Sequence, residues 1–162
     1  MASIEELRES RLKKLEALQT LGVSAYPTKT SQSHTLEATE KDFTVLESNK
    51  TEIVVAGRVM TSRGQGAIAF LDLYDGTLRM QVVVKLPESP EETMKFLREY
   101  VDVGDFIEVT GVAFTTKSGQ HSVLATSISM LSKALLPLPD KYHGLQDEEL
   151  RMRERYLDIL TN

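Results

Sequence analysis

The chain has 162 residues, 41% of them hydrophobic and 27% charged, which is the composition of one folded domain of ordinary size with short appendages. It lacks cysteine, which excludes disulfide and thiolate chemistry, and no run of about 18 apolar residues supports a membrane span. The net charge of −5 argues against a protein that coats nucleic acids non-specifically, because such domains are strongly basic.

The first 27 residues predict a helix that ends at a glycine. Ser3 and Glu6 have the spacing of a capping box, Gly22 is a natural helix stop, and Pro27 lies beyond it. Its basic residues form either a solvated face or a contact for phosphates; they are Arg8, Arg11, Lys13 and Lys14. Residues 28–50 predict a connector with a short helix near residues 36–46, and its composition suggests no chemistry.

The next part of the chain predicts three strands. Residues 53–62 are rich in β-formers, and Gly57 inside them suggests a bulge or a sharp bend. Residues 67–73 and 78–84 flank Asp75 and Gly76, a dipeptide that strongly favours a hairpin turn. Along the second strand, Phe70 is expected on the face opposite Leu71, because successive side chains point to opposite sides.

A helix and two more strands follow. Ser89 and Pro90 predict a helix start, with the serine as the cap, and the helix should run to about Val101. Residues 105–115 and 122–131 predict the fourth and fifth strands. Three strands, a helix and two strands is the order of an OB-fold. The fold class that we expect is therefore mainly β with flanking helices, built on a five-stranded Greek-key barrel.

The end of the chain predicts a stiff linker and a helix. Residues 135–139 are rich in proline, and Asp147 should cap a helix over residues 148–160. We expect three parts: a helical extension and connector over residues 1–50, the barrel over 51–134, and over 135–162 a linker with the first helix of an absent further domain. The stop at Asn162 directly after this helix suggests a cut before that domain.

Chain order places five residues on one surface. An OB-fold binds its ligand on the face of strands two and three, between the loops after strands one and four. Arg63 falls in the first of these loops, and Phe70 and Gln81 fall on the two strands. Lys117 and Gln120 fall in or beside the last loop. A ring can stack on an unpaired base while polar groups bond its edge, so the pattern predicts an RNA-base site.

Simpler interpretations of the same residues stay open. Phe70 could belong to the core, Gln81 could face solvent, and Arg63 and Lys117 could be surface cations. No catalytic pattern, metal-ligand spacing or phosphate-binding loop occurs in the sequence. The histidines are scattered and are expected to be incidental; they are His34, His121 and His143.

Three stretches resemble the lysyl-tRNA synthetase family. Residues 135–160, LLPLPDKYHGLQDEELRMRERYLDIL, resemble the segment that joins the anticodon-binding domain of that family to its catalytic domain. A second stretch is similar to the OB-fold of that family. It consists of VAGRVMTSRG, then Phe70, the Asp75–Gly76 pair and Gln81, and finally TTKSGQ. The opening RLKKLEALQTLGVSAYP resembles its N-terminal helix, so the resemblance covers essentially the whole chain.

The resemblance implies a part of a cytoplasmic, homodimeric enzyme that charges tRNA(Lys) with lysine, using ATP and Mg²⁺. Its partner would be tRNA(Lys), with no DNA and no membrane. The class-defining catalytic motifs would lie after Asn162, so we expect these residues to bind RNA without aminoacylating it and without a cofactor of their own. Two alternatives are a domain of an aspartyl- or asparaginyl-tRNA synthetase, and a stand-alone OB module that binds single strands or another protein.

The resemblance also implies roles for the site residues. Phe70 matches the residue that stacks on the central anticodon uridine, and Arg63 and Gln81 match those that bond the edge of that base. Gln120 stands where many members have a glutamate, and Ala67 where many have a lysine.

Overall fold

The computed structural model describes residues 1–139 and 145–161 of the chain. Its strands close into a barrel in the order β1-β2-β3-β5-β4, which confirms the predicted fold class. The strands are β1 Glu52–Gln65, β2 Ile68–Tyr74, β3 Arg79–Lys85, β4 Phe106–Thr115 and β5 His121–Ser132. The helices are α1 Ile4–Thr20, α2 Leu36–Lys41, α3 Phe43–Asn49, α4 Glu91–Tyr100, α5 Glu148–Arg153 and α6 Arg155–Thr161. The prediction for His143 lies outside the described residues.

Strand alternation fills the barrel interior. On β2, Leu71 and Leu73 are fully buried, while Phe70 faces outward and is half-buried. On β3, Met80 and Val82 point into the same interior. The barrel closes where residues 81–83 of β3 pair in parallel with residues 122–124 of β5, and the other strand pairs are antiparallel.

The hairpin between β2 and β3 is longer than a two-residue turn. Asp75 accepts hydrogen bonds from the backbone N–H groups of Thr77 and Leu78, which fixes a loop over residues 75–78. Its second oxygen accepts from the N–H of Leu36, at the start of α2. Burial opposes the charge on Asp75, but a hydrogen bond from the Thr77 hydroxyl, together with the three backbone bonds, outweighs burial and holds the pKa of the carboxyl below its usual value. One carboxylate therefore shapes the hairpin and anchors the connector to it.

Three predicted details of the helices are wrong. Pro90, not Ser89, caps α4, because the Ser89 hydroxyl donates to the carbonyl of Ala125 and accepts from the N–H of Lys85. The C-terminal helix, capped by Asp147 as predicted, breaks at Glu154 into two short helices. The connector forms two helices, α2 and α3, where one was expected.

The N-terminal helix is fixed to the barrel by charged groups. Its predicted capping box is present, and the Arg11 guanidinium donates to the carbonyls of Ala134 and Leu136. The Lys14 ammonium lies 2.6 Å from an oxygen of Asp102, whose other oxygen lies 2.7 Å from the fully buried Lys133. Arg11 and Lys14 thus have structural partners, whereas Arg8 and Lys13 are exposed. None of the described helices has the length and apolarity needed to cross a membrane.

We expect acid to weaken the fold through Asp102. Burial opposes its charge, but hydrogen bonds from Lys133 and Lys14 outweigh burial and hold the pKa of the carboxyl below its usual 3.8. A carboxyl with a lowered folded-state pKa adds stability above its unfolded pKa and loses it as the pH falls through the folded value. Asp102→Asn should cost about 1–3 kcal/mol of unfolding free energy near neutral pH, and progressively less as the pH falls below the usual carboxyl pKa of 3.8.

Urea unfolding across this pH range measures the difference between the two proteins. Glu99→Gln, which removes an exposed carboxylate near the end of α4, is the control and should leave the pH dependence unchanged. A loss of stability in Asp102→Asn that is the same at neutral and acid pH would contradict the assignment.

Candidate nucleic-acid interface

One cavity of about 460 Å³ lies on the outer face of β2 and β3, beside the β1–β2 and β4–β5 loops. All five residues singled out from the sequence line it: Arg63, Phe70, Gln81, Lys117 and Gln120. The strand order explains this, because the parallel pairing of β3 with β5 carries the β4–β5 loop to the side of Gln81.

Phe70 forms the aromatic wall of the cavity. On β2 it pairs with Arg63 of β1 on one side and with Val83 of β3 on the other. The prediction that Arg63 lies in the loop after the first strand is therefore wrong, because β1 continues to Gln65. The Arg63 guanidinium carbon lies 5.5 Å from the centre of the Phe70 ring, within the range of a cation–π contact. Phe70 is half-buried on the outer face, which rules out the interpretation of this residue as part of the barrel core.

Gln81 lies at the base of the cavity with an unpaired oxygen. It is only 3% exposed, so the interpretation of Gln81 as a solvent-facing residue is wrong. Its Oε1 is buried and has no hydrogen-bond partner among the described residues. A buried acceptor left unpaired costs about 1–3 kcal/mol. A ligand that brings an N–H group into the cavity would supply the missing donor.

The charges around this cavity are positive. Its lining includes Arg63, Lys85 and Lys117, and no carboxylate occurs among the lining residues that the structure describes. Lys85 reaches Glu88 at 4.0 Å, but both side chains are about half exposed, so the pair is weak. The cavity therefore suits a polyanion, although the chain as a whole is acidic.

Local backbone geometry shapes both loops. A Cβ at Gly64, where β1 approaches β2, would lie 2.7 Å from the Cα of Ala69, so a side chain there would push the strands apart. Gly66 follows in the β1–β2 loop, and the Arg98 guanidinium of α4 donates to its carbonyl. In the other loop, Gly119 has φ +88°, and the Thr116 N–H donates to the carbonyl of Gln120.

Several residues near the cavity were missed as candidates. Lys85 and Phe114 also line it, but neither strand pattern marked them as different from other barrel residues. Arg58, another arginine of the barrel strands, does not line it. Its guanidinium lies 4.6 Å from the centre of the Phe106 ring, elsewhere on the barrel, and its burial lowers its pKa.

The connector, for which the sequence suggested no chemistry, also lies close to this surface. Glu40 of α2 lines a smaller neighbouring cavity together with His121, a residue expected to be incidental. No sequence signal could have found this pair, because the two residues are 81 positions apart. Within the described residues, no group of three or more histidine, aspartate and glutamate side chains could hold a metal ion.

Comparison with known proteins agrees with this geometry. Residues 53–131 match the family described as OB-fold nucleic acid binding domain. Over 162 residues the chain is 40% identical to a lysine–tRNA ligase of Dehalococcoides mccartyi, an alignment that covers 98% of the chain and 32% of that protein. It is 34% identical over 163 residues to the lysine–tRNA ligase of Thermotoga maritima, with the same coverage. The chain thus spans about a third of the length of these relatives.

We expect Gln81 to contribute nothing to stability. Gln81→Met keeps the length of the side chain and removes the unpaired oxygen, so the free energy of unfolding should stay within about 0.5 kcal/mol of the parent or rise by about 1–2 kcal/mol. Urea unfolding measures the effect.

Ser89→Ala is the matched control, because it removes a buried hydroxyl that makes two hydrogen bonds. This substitution should destabilise by about 1–3 kcal/mol. A Gln81→Met variant that loses as much stability as Ser89→Ala would show that the amide is structurally paired.

Proposed function

We propose that this chain is the anticodon-recognising part of a lysine–tRNA ligase, because residues 53–131 match the family described as OB-fold nucleic acid binding domain and the relatives are lysine–tRNA ligases. The observation that carries the proposal is the unpaired oxygen of Gln81 beneath an exposed aromatic wall. A stacked base with an N–H on its edge fits both features. The name of the relatives supports tRNA(Lys) as the RNA that supplies this base.

Uridine is the base whose edge fits the cavity best. Its N3–H can donate to Oε1 of Gln81, and its carbonyl oxygens can accept from the Arg63 guanidinium while the ring stacks on Phe70. Cytosine has an acceptor at N3, so a cytosine stacked in the same position would place two acceptors together and leave Oε1 of Gln81 unpaired. Loss of a good base-edge contact costs about 1–3 kcal/mol, which sets the scale of the discrimination.

Lys85 and Lys117 contact phosphates of the RNA backbone. Both are exposed cations at the edge of the cavity, where a compact ammonium suits a phosphate. Gln120, in the same loop as Lys117, presents an uncharged amide to the nucleotides beside the central base. The few cations at this edge imply that phosphate contacts alone give weak binding, and that base contacts decide which RNA is held.

The whole protein is proposed to be a cytoplasmic, homodimeric ligase that charges tRNA(Lys) with lysine, using ATP and Mg²⁺. In it, residues 1–50 form a helical extension and connector, residues 51–134 the anticodon-binding domain, and residues 135–162 the link to a catalytic domain. The described residues offer no metal cluster that would fit Mg²⁺, so no step of charging is assigned to them.

Titration with anticodon stem-loops that differ only at the central base tests this function. We expect uridine to bind at least about tenfold more tightly than cytidine, because at N3 uridine presents a donor to Gln81 and cytidine an acceptor. Fluorescence anisotropy with labelled stem-loops gives the four dissociation constants. Equal affinity for all four bases would refute the proposal.

A second test removes the aromatic wall. Phe70→Ala should weaken binding by about 1–3 kcal/mol, the usual value of one base–aromatic stack, while the unfolding free energy changes little. Phe106→Ala, which removes another ring from the outside of the barrel, is the control and should leave RNA affinity unchanged. If both variants lose RNA affinity equally, stacking on Phe70 is not the cause.

Salt dependence separates the phosphate contacts from the base contacts. Two ammonium–phosphate contacts should give a plot of log affinity against log salt with a slope of about −1.4. Lys117→Gln should reduce the slope by about 0.7 and leave the preference for uridine over cytidine unchanged. A lost base preference with an unchanged slope would instead make Lys117 a base contact.

A further inference from the structure

We propose that the smaller neighbouring cavity holds a second base of the same RNA strand, next to the one at Phe70, and that Glu40 of the connector selects that base. This inference rests on the proposed function. It adds a specificity-determining residue from a part of the chain outside the barrel.

The two cavities share a wall. The smaller one has a volume of about 350 Å³ and is lined by Gln81 and Gln120, which also line the first. Glu40, Arg79 and His121 form its other sides. Consecutive bases hang from one continuous backbone, so a strand that places one base against Phe70 brings a neighbouring base to the adjoining cavity.

The connector holds Glu40 in a fixed position. The helix that carries it begins at a double anchor, where the Thr35 hydroxyl accepts from the N–H of Ala38 and Asp75 accepts from the N–H of Leu36. Near the other end of the helix, Oε1 of Glu40 lies 2.9 Å from Nδ1 of His121.

The ring of His121 is itself held in place. It stacks on the buried Phe43 with the ring centres 3.9 Å apart and an interplanar angle of 5°. A carboxylate supported in this way loses little side-chain entropy when it binds a ligand.

The free oxygen of Glu40 is available to a base. Oε1 is engaged by His121, and Oε2 has no hydrogen-bond partner in the described part of the chain. The side chain remains 43% exposed. An ionised carboxylate only accepts hydrogen bonds, so it selects a base edge that carries an N–H and repels phosphate. The exposed Arg79 lies at the same cavity and supplies the cation that a phosphate needs.

N3-methylation of single uridines tests the proposal. In a stem-loop with uridine at all three anticodon positions, 3-methyluridine removes one N–H donor at a chosen position. For the parent protein, we expect methylation at one flanking position to weaken binding by at least about fivefold. In Glu40→Gln this penalty should fall to about twofold or less, because the bond loses its charge. The penalty for methylation of the central uridine should be the same in both proteins.

Glu37→Gln is the matched control. It removes the same charge from the same helix three residues away, on an exposed side chain outside the cavity lining. It should leave every penalty unchanged. If Glu37→Gln lowers the flanking penalty as much as Glu40→Gln does, the effect comes from the charge of the helix and not from a bond between Glu40 and the base. That outcome would overturn the proposal.

A second variant separates base selection from structural support. His121→Phe keeps the stack on Phe43 and removes the nitrogen that holds Glu40, so it should lower the flanking penalty while the central penalty persists. If His121→Phe lowers RNA affinity but Glu40→Gln leaves the flanking penalty intact, the pair only holds the connector in place, and the inference is wrong. Failure of the proposed function has a different signature, since the parent itself would then show no central penalty.

Discussion

The short parallel pairing between β3 and β5 is the constraint on which the rest of the structure depends. It joins residues 81–83 to residues 122–124 and closes the sheet, so that the described strands have no open edge at this point. The same pairing brings Ser122 opposite Gln81, and therefore brings the β4–β5 loop to the cavity. The pairing of residues 81–83 with residues 122–124 therefore both closes the barrel and assembles the site.

The unpaired oxygen of Gln81 is significant because the other buried side-chain polar atoms in residues 1–139 and 145–161 have partners. The Ser89 and Thr93 hydroxyls donate to the carbonyls of residues 125 and 126, and the buried Lys133 ammonium lies between Asp102 and Asp105. Among the buried side-chain atoms that the structure describes, only this amide oxygen has no hydrogen-bond partner, so its burial lowers the stability of the fold. The oxygen lies at the base of a cationic, aromatic-walled cavity, where a ligand can recover the loss.

Sequence reasoning succeeded where the physical cause is local. Alternation along β2 predicted that Phe70 and Leu71 lie on opposite faces, and the spacing of Ser3 and Glu6 predicted a helix start; the structure has both. It failed where distant contacts override local preference. Ser89 has the spacing of a helix cap, but its hydroxyl bonds a strand 36 residues later. The location of Glu40 likewise depends on how a connector folds back on the barrel, which no local pattern records.

The distribution of charge explains how an acidic chain can suit RNA. Part of the positive charge is used internally, since Arg11 and Lys14 bond backbone and carboxylate groups rather than facing solvent freely. The cations left at the cavity are few, so the long-range attraction to a polyanion is small. Such a surface gains little binding free energy from contacts to phosphates, which are the same in every RNA. Its binding energy must come from stacking and from the base edges, and those are the contacts that differ between one anticodon and another.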